Sequence, residues 1–219
     1  KYLKYDKLGD VTFVEIEANY KNGLLHGHYI ESTSPNSKSK ECDYVNGELD
    51  GKWISYNNWV AGTGIDCIQY YKLGRRDSIS IWFNPNGTPK TIIRYNKKGE
   101  DHGLRQEFYE DGIRKTEIDY VNDSKHGLWK EYNESGKLIT STSYVLDHKQ
   151  GQEKEYTDEG QLIRLTNYIR DEKNGEEILY FNSGKVKEKK SYKMGSKAGK
   201  WIWYNEDGSI KEETEYLAN

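Results

Sequence analysis

Between residues 127 and 151 the chain falls into two short patterned stretches separated by a polar turn. Leu128-Trp129-Lys130-Glu131-Tyr132 is compact and aromatic, the composition of a strand. Glu134-Ser135-Gly136-Lys137 follows, with a glycine able to supply the positive φ of a tight turn. Leu138, Thr140, Thr142 and Tyr144 then alternate with Ile139, Ser141 and Ser143, a period of two that predicts a second strand. Asp147-His148-Lys149-Gln150 is polar and reads as the connection to the next stretch. The pattern predicts a β-hairpin.

The hairpin recurs. Gly103, Gly127, Gly151, Gly175 and Gly199 are each 24 residues apart. Counting from these glycines, offset 5 holds Phe108, Tyr132, Tyr156, Tyr180 and Tyr204, and offset 9 holds Gly112, Gly136, Gly160, Gly184 and Gly208. Offset 17 holds Tyr120, Tyr144, Tyr168, Tyr192 and Tyr216. Upstream the pattern is damaged. Ser78 stands for one opening glycine, with Phe83, Gly87 and Tyr95 in register. Gly51 opens another unit whose late tyrosine is displaced three places to Tyr71, so the segment around Trp59 carries an insertion. Gly27 opens the most degraded unit, and Tyr5, Gly9 and Tyr20 outline a fragment ahead of it.

A lone hairpin is marginal in water, so such units must stack to bury their aromatics. The expected fold is all-β: an elongated array of about eight 24-residue β-hairpin repeats forming a twisted, mostly single-layer antiparallel sheet. Residues 1–219 read as one repeat domain, with a partial unit over 1–26, divergent units over 27–102 and five regular units over 103–219. Stacking predicts that Tyr120, Tyr144, Tyr168, Tyr192 and Tyr216 form a row of neighbouring rings with a structural role.

Composition sharpens this picture. Leu, Ile, Val and Phe make up only about a fifth of the chain, a share that borders on disorder when net charge is high. Here the net charge is only −3, and 19 Tyr and 6 Trp supply the missing apolar mass. The core is therefore expected to be thin, aromatic and distributed. The balanced charge lacks the basic footprint of a nucleic-acid binder, and no apolar run approaches the roughly 20 residues of a membrane-spanning helix. The chain opens at Lys1 and its only methionine is Met194, so an upstream segment is expected to have been removed, either a signal peptide or a cloning truncation.

Candidate chemistry is sparse. His26, His102 and His126 each precede a unit glycine. Zinc donors must sit within about 4 Å of one another, whereas equivalent positions in neighbouring units lie roughly 10 Å apart. Asp50, Asp77, Gln150, Asn174 and Ala198 fill the same slot elsewhere, which marks it as a turn position rather than a metal site. Gly62-Thr63-Gly64 precedes no helix and reads as a loop. No nucleophile elbow, zincin or phosphate-loop motif is present, so no catalytic residue, metal or cofactor is assigned. The carboxylates are expected on a solvated face, and the Lys185–Lys190 run is read as cross-strand ion pairing.

Asn46-Gly47-Glu48-Leu49-Asp50-Gly51-Lys52-Trp53, His126-Gly127-Leu128-Trp129 and Ala198-Gly199-Lys200-Trp201 carry the spacing Asn-Gly-x-x-x-Gly-x-Trp or its second half. This motif resembles the MORN repeat, and the 24-residue period is closest to its bacterial variant. The resemblance implies a non-enzymatic, protein-binding array. Bacterial relatives are often labelled antitoxins, which would bind a toxin and work in the cytoplasm. Other arrays scaffold or tether at membranes, which implies an envelope component as partner, or membrane lipid, and an exported chain.

Two further expectations concern particular residues. Trp59 lies in the inserted segment, and Trp82 and Trp203 sit at offset 4, where other units place Ser55, Glu107, Glu131 and Glu155. Trp59 and Trp82, together with Tyr70, form the expected partner patch, since exposed aromatics dominate interface energetics. Cys42 and Cys67 each share the parity of a late tyrosine in adjacent units, so they are either a disulfide pair or two buried thiols.

Overall fold

The computed structural model describes residues 1–57 and 64–217. Among the described residues the chain is all strand and turn, with no helix. It divides into two compact units, Lys1–Gly112 and Ile113–Asn219.

In the first unit the strands are β1 (Tyr2–Leu8), β2 (Val11–Lys21), β3 (Leu24–Ser34), β4 (Ser37–Val45) and β5 (Glu48–Tyr56), followed by β6 (Ile65–Lys72), β7 (Arg75–Phe83), β8 (Pro89–Arg94) and β9 (Gly103–Phe108). Each pairs antiparallel with the next in sequence. The second unit has its own meander of β10 (Arg114–Val121), β11 (Ser124–Tyr132), β12 (Leu138–Val145), β13 (His148–Tyr156) and β14 (Leu162–Ile169), followed by β15 (Glu172–Tyr180), β16 (Val186–Lys193), β17 (Ser196–Lys197), β18 (Gly199–Tyr204) and β19 (Ile210–Tyr216). The sequence period thus emerges as consecutive antiparallel hairpins.

Two kinds of turn alternate. Within a hairpin, Gly136 N–H donates to Asn133 O at 2.8 Å and Asn133 N–H to Lys137 O at 2.9 Å, and the same closure recurs at Thr157, Phe181 and Asn205. Between hairpins the chain turns in two residues with positive φ, such as Leu146 (49°) and Asp147 (68°), as the right-handed twist of hairpins favours. This corrects the expectation of a polar connecting segment. Asp147 closes the turn, and β13 already begins at His148.

The same finding moves the histidines. His26 lies inside β3 and His126 inside β11, so in those units the slot before the unit glycine is strand, not turn, while His102 lies just ahead of β9. The glycine that follows is a bulge: the pairing slips between Thr142 and Tyr144, and Gly151 sits there at φ 102°. His26 Nδ1 accepts from Asn46 N–H at 3.3 Å, and His28 Nδ1 meets Asp43 Oδ1 at 3.0 Å.

Four of the five regular opening glycines lie opposite a late tyrosine. Gly127 pairs with Tyr144, Gly151 with Tyr168, Gly175 with Tyr192 and Gly199 with Tyr216. Upstream Gly27 pairs with Tyr44 and Gly51 with the displaced Tyr71, so the extra residues fall between β5 and β6 and leave the pairing intact. A glycine leaves the ring's flank open for close packing.

Candidate interaction face

Cross-strand partners share a face, so the pairing divides the side chains in two. The late tyrosines mark one face. On it a row of opposite pairs joins offset 2 to the following strand: Tyr29 with Cys42, Trp53 with Gln69, Trp129 with Thr142 and Trp201 with Thr214. Most of the buried residues lie along this row. Ala18, Cys42, Ser80, Thr142 and Thr166 are almost fully covered, each small and flanked by larger neighbours. The offset-5 rings Tyr56 and Tyr132 point to the opposite face, which in the first unit carries Ile54, Ile68, Ile81 and Ile92 on consecutive strands. The core is thin and distributed, as expected, and its centre is small and polar rather than aromatic.

In two consecutive repeats the offset-2 residue is a glutamate. Glu153 accepts from Thr142 Oγ1 at 3.1 Å and Tyr168 Oη at 3.2 Å, and is paired with Lys149 Nζ. Glu177 makes the same contacts one period later, with Thr166 at 3.4 Å, Tyr192 at 3.3 Å and Lys173. Burial pushes the Glu153 carboxyl up, but the Lys149, Thr142 and Tyr168 hydrogen bonds outweigh it and hold the group below its ordinary range. Tyr192 is pushed up to about 12, first by burial and then by the Glu177 charge. These carboxylates are therefore not on a solvated face. Glu153, held low by its partners, lacks the raised pKa of a general acid.

Among the described residues, Tyr144, Tyr168, Tyr192 and Tyr216 do not stack directly on one another, and Trp201 stands between the last two. Lys125 Nζ lies 5.3 Å from the Tyr144 ring centroid, Lys149 4.9 Å from Tyr168, Lys173 5.0 Å from Tyr192 and Lys197 4.9 Å from Tyr216. Each lysine lies over the tyrosine of its own hairpin as a cation–π contact. Tyr120 pairs with Lys125 at the start of this series. These lysines recur with the same 24-residue spacing in the sequence, a signal that reading the aromatics alone passes over.

The repeat breaks around Trp82. This side chain lies opposite Cys67 and Thr91, hence on the tyrosine face, and is half-buried. It borders a shallow hollow of about 270 Å³ with Lys90, Thr91, Ile93 and Arg105. Arg105 stands at offset 2, where Trp53, Trp129 and Trp201 stand elsewhere, and it reaches Asp101 at 3.7 Å and Glu107 at 3.6 Å. Two departures from the repeat, an added tryptophan and an arginine in place of one, thus meet at one place. Arg105 was legible as an exception at offset 2.

The expected patch of three aromatics does not assemble around Trp82. Tyr70 lies opposite Lys52 on the other face, because residues 67, 69 and 71 take the tyrosine face of β6. Trp59 lies outside the described residues. The disulfide does not form either: Cys42 and Cys67 are both free and buried. Cys42 on β4 pairs with Trp53, and Cys67 on β6 pairs with Ser55, so a whole strand separates them. Two strand spacings amount to about 10 Å, beyond a disulfide's reach.

Comparison with known families settles what these hairpins are. Five consecutive segments, residues 101–122, 125–145, 149–170, 173–194 and 197–218, match the family described as "MORN repeat variant". This is a MORN-repeat protein. MORN repeats are protein- or membrane-binding modules and are non-catalytic as a family. The matched segments begin at residue 101, and upstream of them the glycine–tyrosine pairing is kept at Gly27 and Gly51. No curated protein matches the chain. Among solved structures, the GtfA/B complex bound to UDP and GlcNAc is similar at 11% identity and a TM-score of 0.25. The match covers 66% of this chain and 27% of that one, and the likeness is too remote to bear on function.

Proposed function

We propose that this MORN array is a non-enzymatic module that binds and masks another protein, as an antitoxin or immunity protein does, and that Trp82 anchors the partner. The observation carrying this reading is the Trp82 hollow. A half-buried tryptophan sits beside an arginine and the buried Ile93, at a position where three of the five regular repeats place a glutamate. Tryptophan and arginine dominate interface energetics when a pocket lets them desolvate.

Site-specific photo-crosslinking in the native host tests the reading, with p-benzoylphenylalanine in place of Trp82 and, as control, of the exposed Lys211. The proposal predicts one discrete protein adduct from position 82 and none from 211. Absence of an adduct at 82, or the same adducts from both positions, contradicts it. Lipid adducts alone would transfer the chain to the alternative role, a scaffold at a membrane or envelope.

A further inference from the structure

The turn after β8 departs from every other link between hairpins in the array. Where regular links turn in two residues, the chain here takes a longer course through Asn96-Lys97-Lys98-Gly99-Glu100. Gly99 N–H donates to Asn96 O at 2.9 Å, and Asn96 N–H to Glu100 O at 3.0 Å. The Asn96 side chain fixes the turn from within, its Oδ1 accepting from Lys98 N–H at 2.8 Å and Glu100 N–H at 3.2 Å. The turn is seated on the start of β7. A Cβ added to Gly99, which has φ 84°, would lie 3.2 Å from Arg76 O and 3.6 Å from Arg75 Cβ. Its fixed shape therefore brings two lysines beside two arginines.

These residues border a hollow of about 560 Å³. Lys72, Arg75, Arg76 and Lys97 line it, with Glu48 and Asp77 interspersed and Leu73 exposed among them. Two of the cations are engaged: Lys72 Nζ bonds Asp50 Oδ1 at 3.0 Å, and Arg76 lies 5.6 Å from the Tyr95 ring centroid. Arg75 and Lys97, with Lys98 beside them, form no ion pair among the described residues, and all three are exposed. The regular turns differ. Asp147 and Asp171 hold their carboxylates against the Lys125 and Lys149 backbone N–H groups of the preceding turn, at 2.8 and 2.7 Å. Unpaired cations beside a fixed hollow are thus a local addition to the repeat.

We propose that this hollow binds an acidic segment of a partner protein. Its size lies within the range of sites that enclose an extended ligand rather than a single ion. Arg75 offers a planar fork that matches a carboxylate, and Lys97 and Lys98 add point charges along the turn. Glu48 and Asp77 repel a dense polyanion such as nucleic acid, yet admit a peptide whose acidic residues are spaced by neutral ones. Leu73 supplies apolar contact for those neutral residues. The inference rests on the partner-binding reading in one respect only, that the ligand is part of a protein.

The test titrates the full chain with a fluorescein-labelled peptide of five Glu-Ala repeats and follows polarisation. Binding at low salt is expected to weaken steeply toward about 0.2 M salt, as exposed charges are screened. The double variant Arg75→Glu with Lys97→Glu is expected to lose about tenfold or more in affinity at unchanged melting temperature. Lys211→Glu, a reversal in the second unit, leaves binding as it was. Trp82→Ala also leaves it as it was, which separates this outcome from the anchor proposal. Wild-type chain that ignores the peptide, or a double variant that binds it as well as wild type, overturns the proposal. So does binding of phosphatidylserine vesicles without binding of the peptide, which would make the hollow a membrane contact.

Discussion

Tyr168 donates its hydroxyl hydrogen to Glu153 Oε1 at 3.2 Å, across fifteen residues of chain and one strand pairing. Tyr192 repeats the bond to Glu177 at 3.3 Å. In both repeats a threonine covers the carboxylate from one side and a lysine from the other. Where neighbouring repeats place a tryptophan at this position, these two place an ion with every partner supplied. A buried charge so satisfied specifies register, since a slip of one residue would strand it.

Acid should loosen the array through this cluster. The folded-state pKa of Glu153 is depressed, so the stability it contributes is present above the unfolded value of about 4.3 and is lost as pH falls through the lower folded value. Glu117, held low against its burial by Lys130, Tyr132 and Arg114, acts in the same direction. Melting temperature should be flat near neutrality and fall below about pH 4.5. Glu153→Gln should melt lower at pH 7, by about 1–2 kcal/mol of stability, and show a shallower acid decline. An acid decline as steep as wild type would remove Glu153 from this role.

The two cysteines should behave as buried thiols. Burial pushes both Cys42 and Cys67 above their ordinary range, and both are almost inaccessible, at 1% and 4% exposure. Thiol titration should find negligible reaction in the native protein and two free thiols after denaturation without reductant. Fewer than two in the denatured sample would contradict the strand spacing described above.

Trp201 and Trp82 should separate packing from binding. Trp201 is 7% exposed, donates from Nε1 to Ser191 O at 2.9 Å and contacts the Tyr192, Trp203 and Tyr216 rings. Trp201→Ala should cost about 3 kcal/mol or more in chemical denaturation. Trp82 is only half-buried and should cost clearly less. Equal losses would make Trp82 another packing residue.

Ser78 should be improvable. It takes the place of a unit glycine and keeps the left-handed backbone, at φ 55°. A non-glycine residue is strained there. Ser78→Gly should stabilise the chain by about 1 kcal/mol, the relief of that strain less the added freedom of glycine in the unfolded chain. A lower melting temperature would mean that the serine side chain makes a contact worth more than the strain.

The register of the fold was legible because glycine and tyrosine recur as a pair, and even the displaced Tyr71 falls opposite Gly51. The link between hairpins was not, because Leu146 at φ 49° is a conformation that leucine rarely takes, and nothing local announces it. Nor was the burial of Glu153, which depends on Thr142, Lys149 and Tyr168 converging from three strand positions. Trp82 stood out as an exception to the period. The face it takes relative to Tyr70 depends on counting strand parity through a turn and a bulge, which the sequence alone does not resolve.

The central claim is that Trp82 anchors a protein partner on an otherwise regular MORN array. Its most direct test is the affinity of that partner, once identified by crosslinking from position 82, for wild type, Trp82→Ala and Trp201→Ala, each measured well below its melting temperature. Trp82→Ala is expected to bind at least about tenfold more weakly at nearly unchanged stability, while Trp201→Ala binds normally despite its lower stability. Wild-type affinity in Trp82→Ala would contradict it.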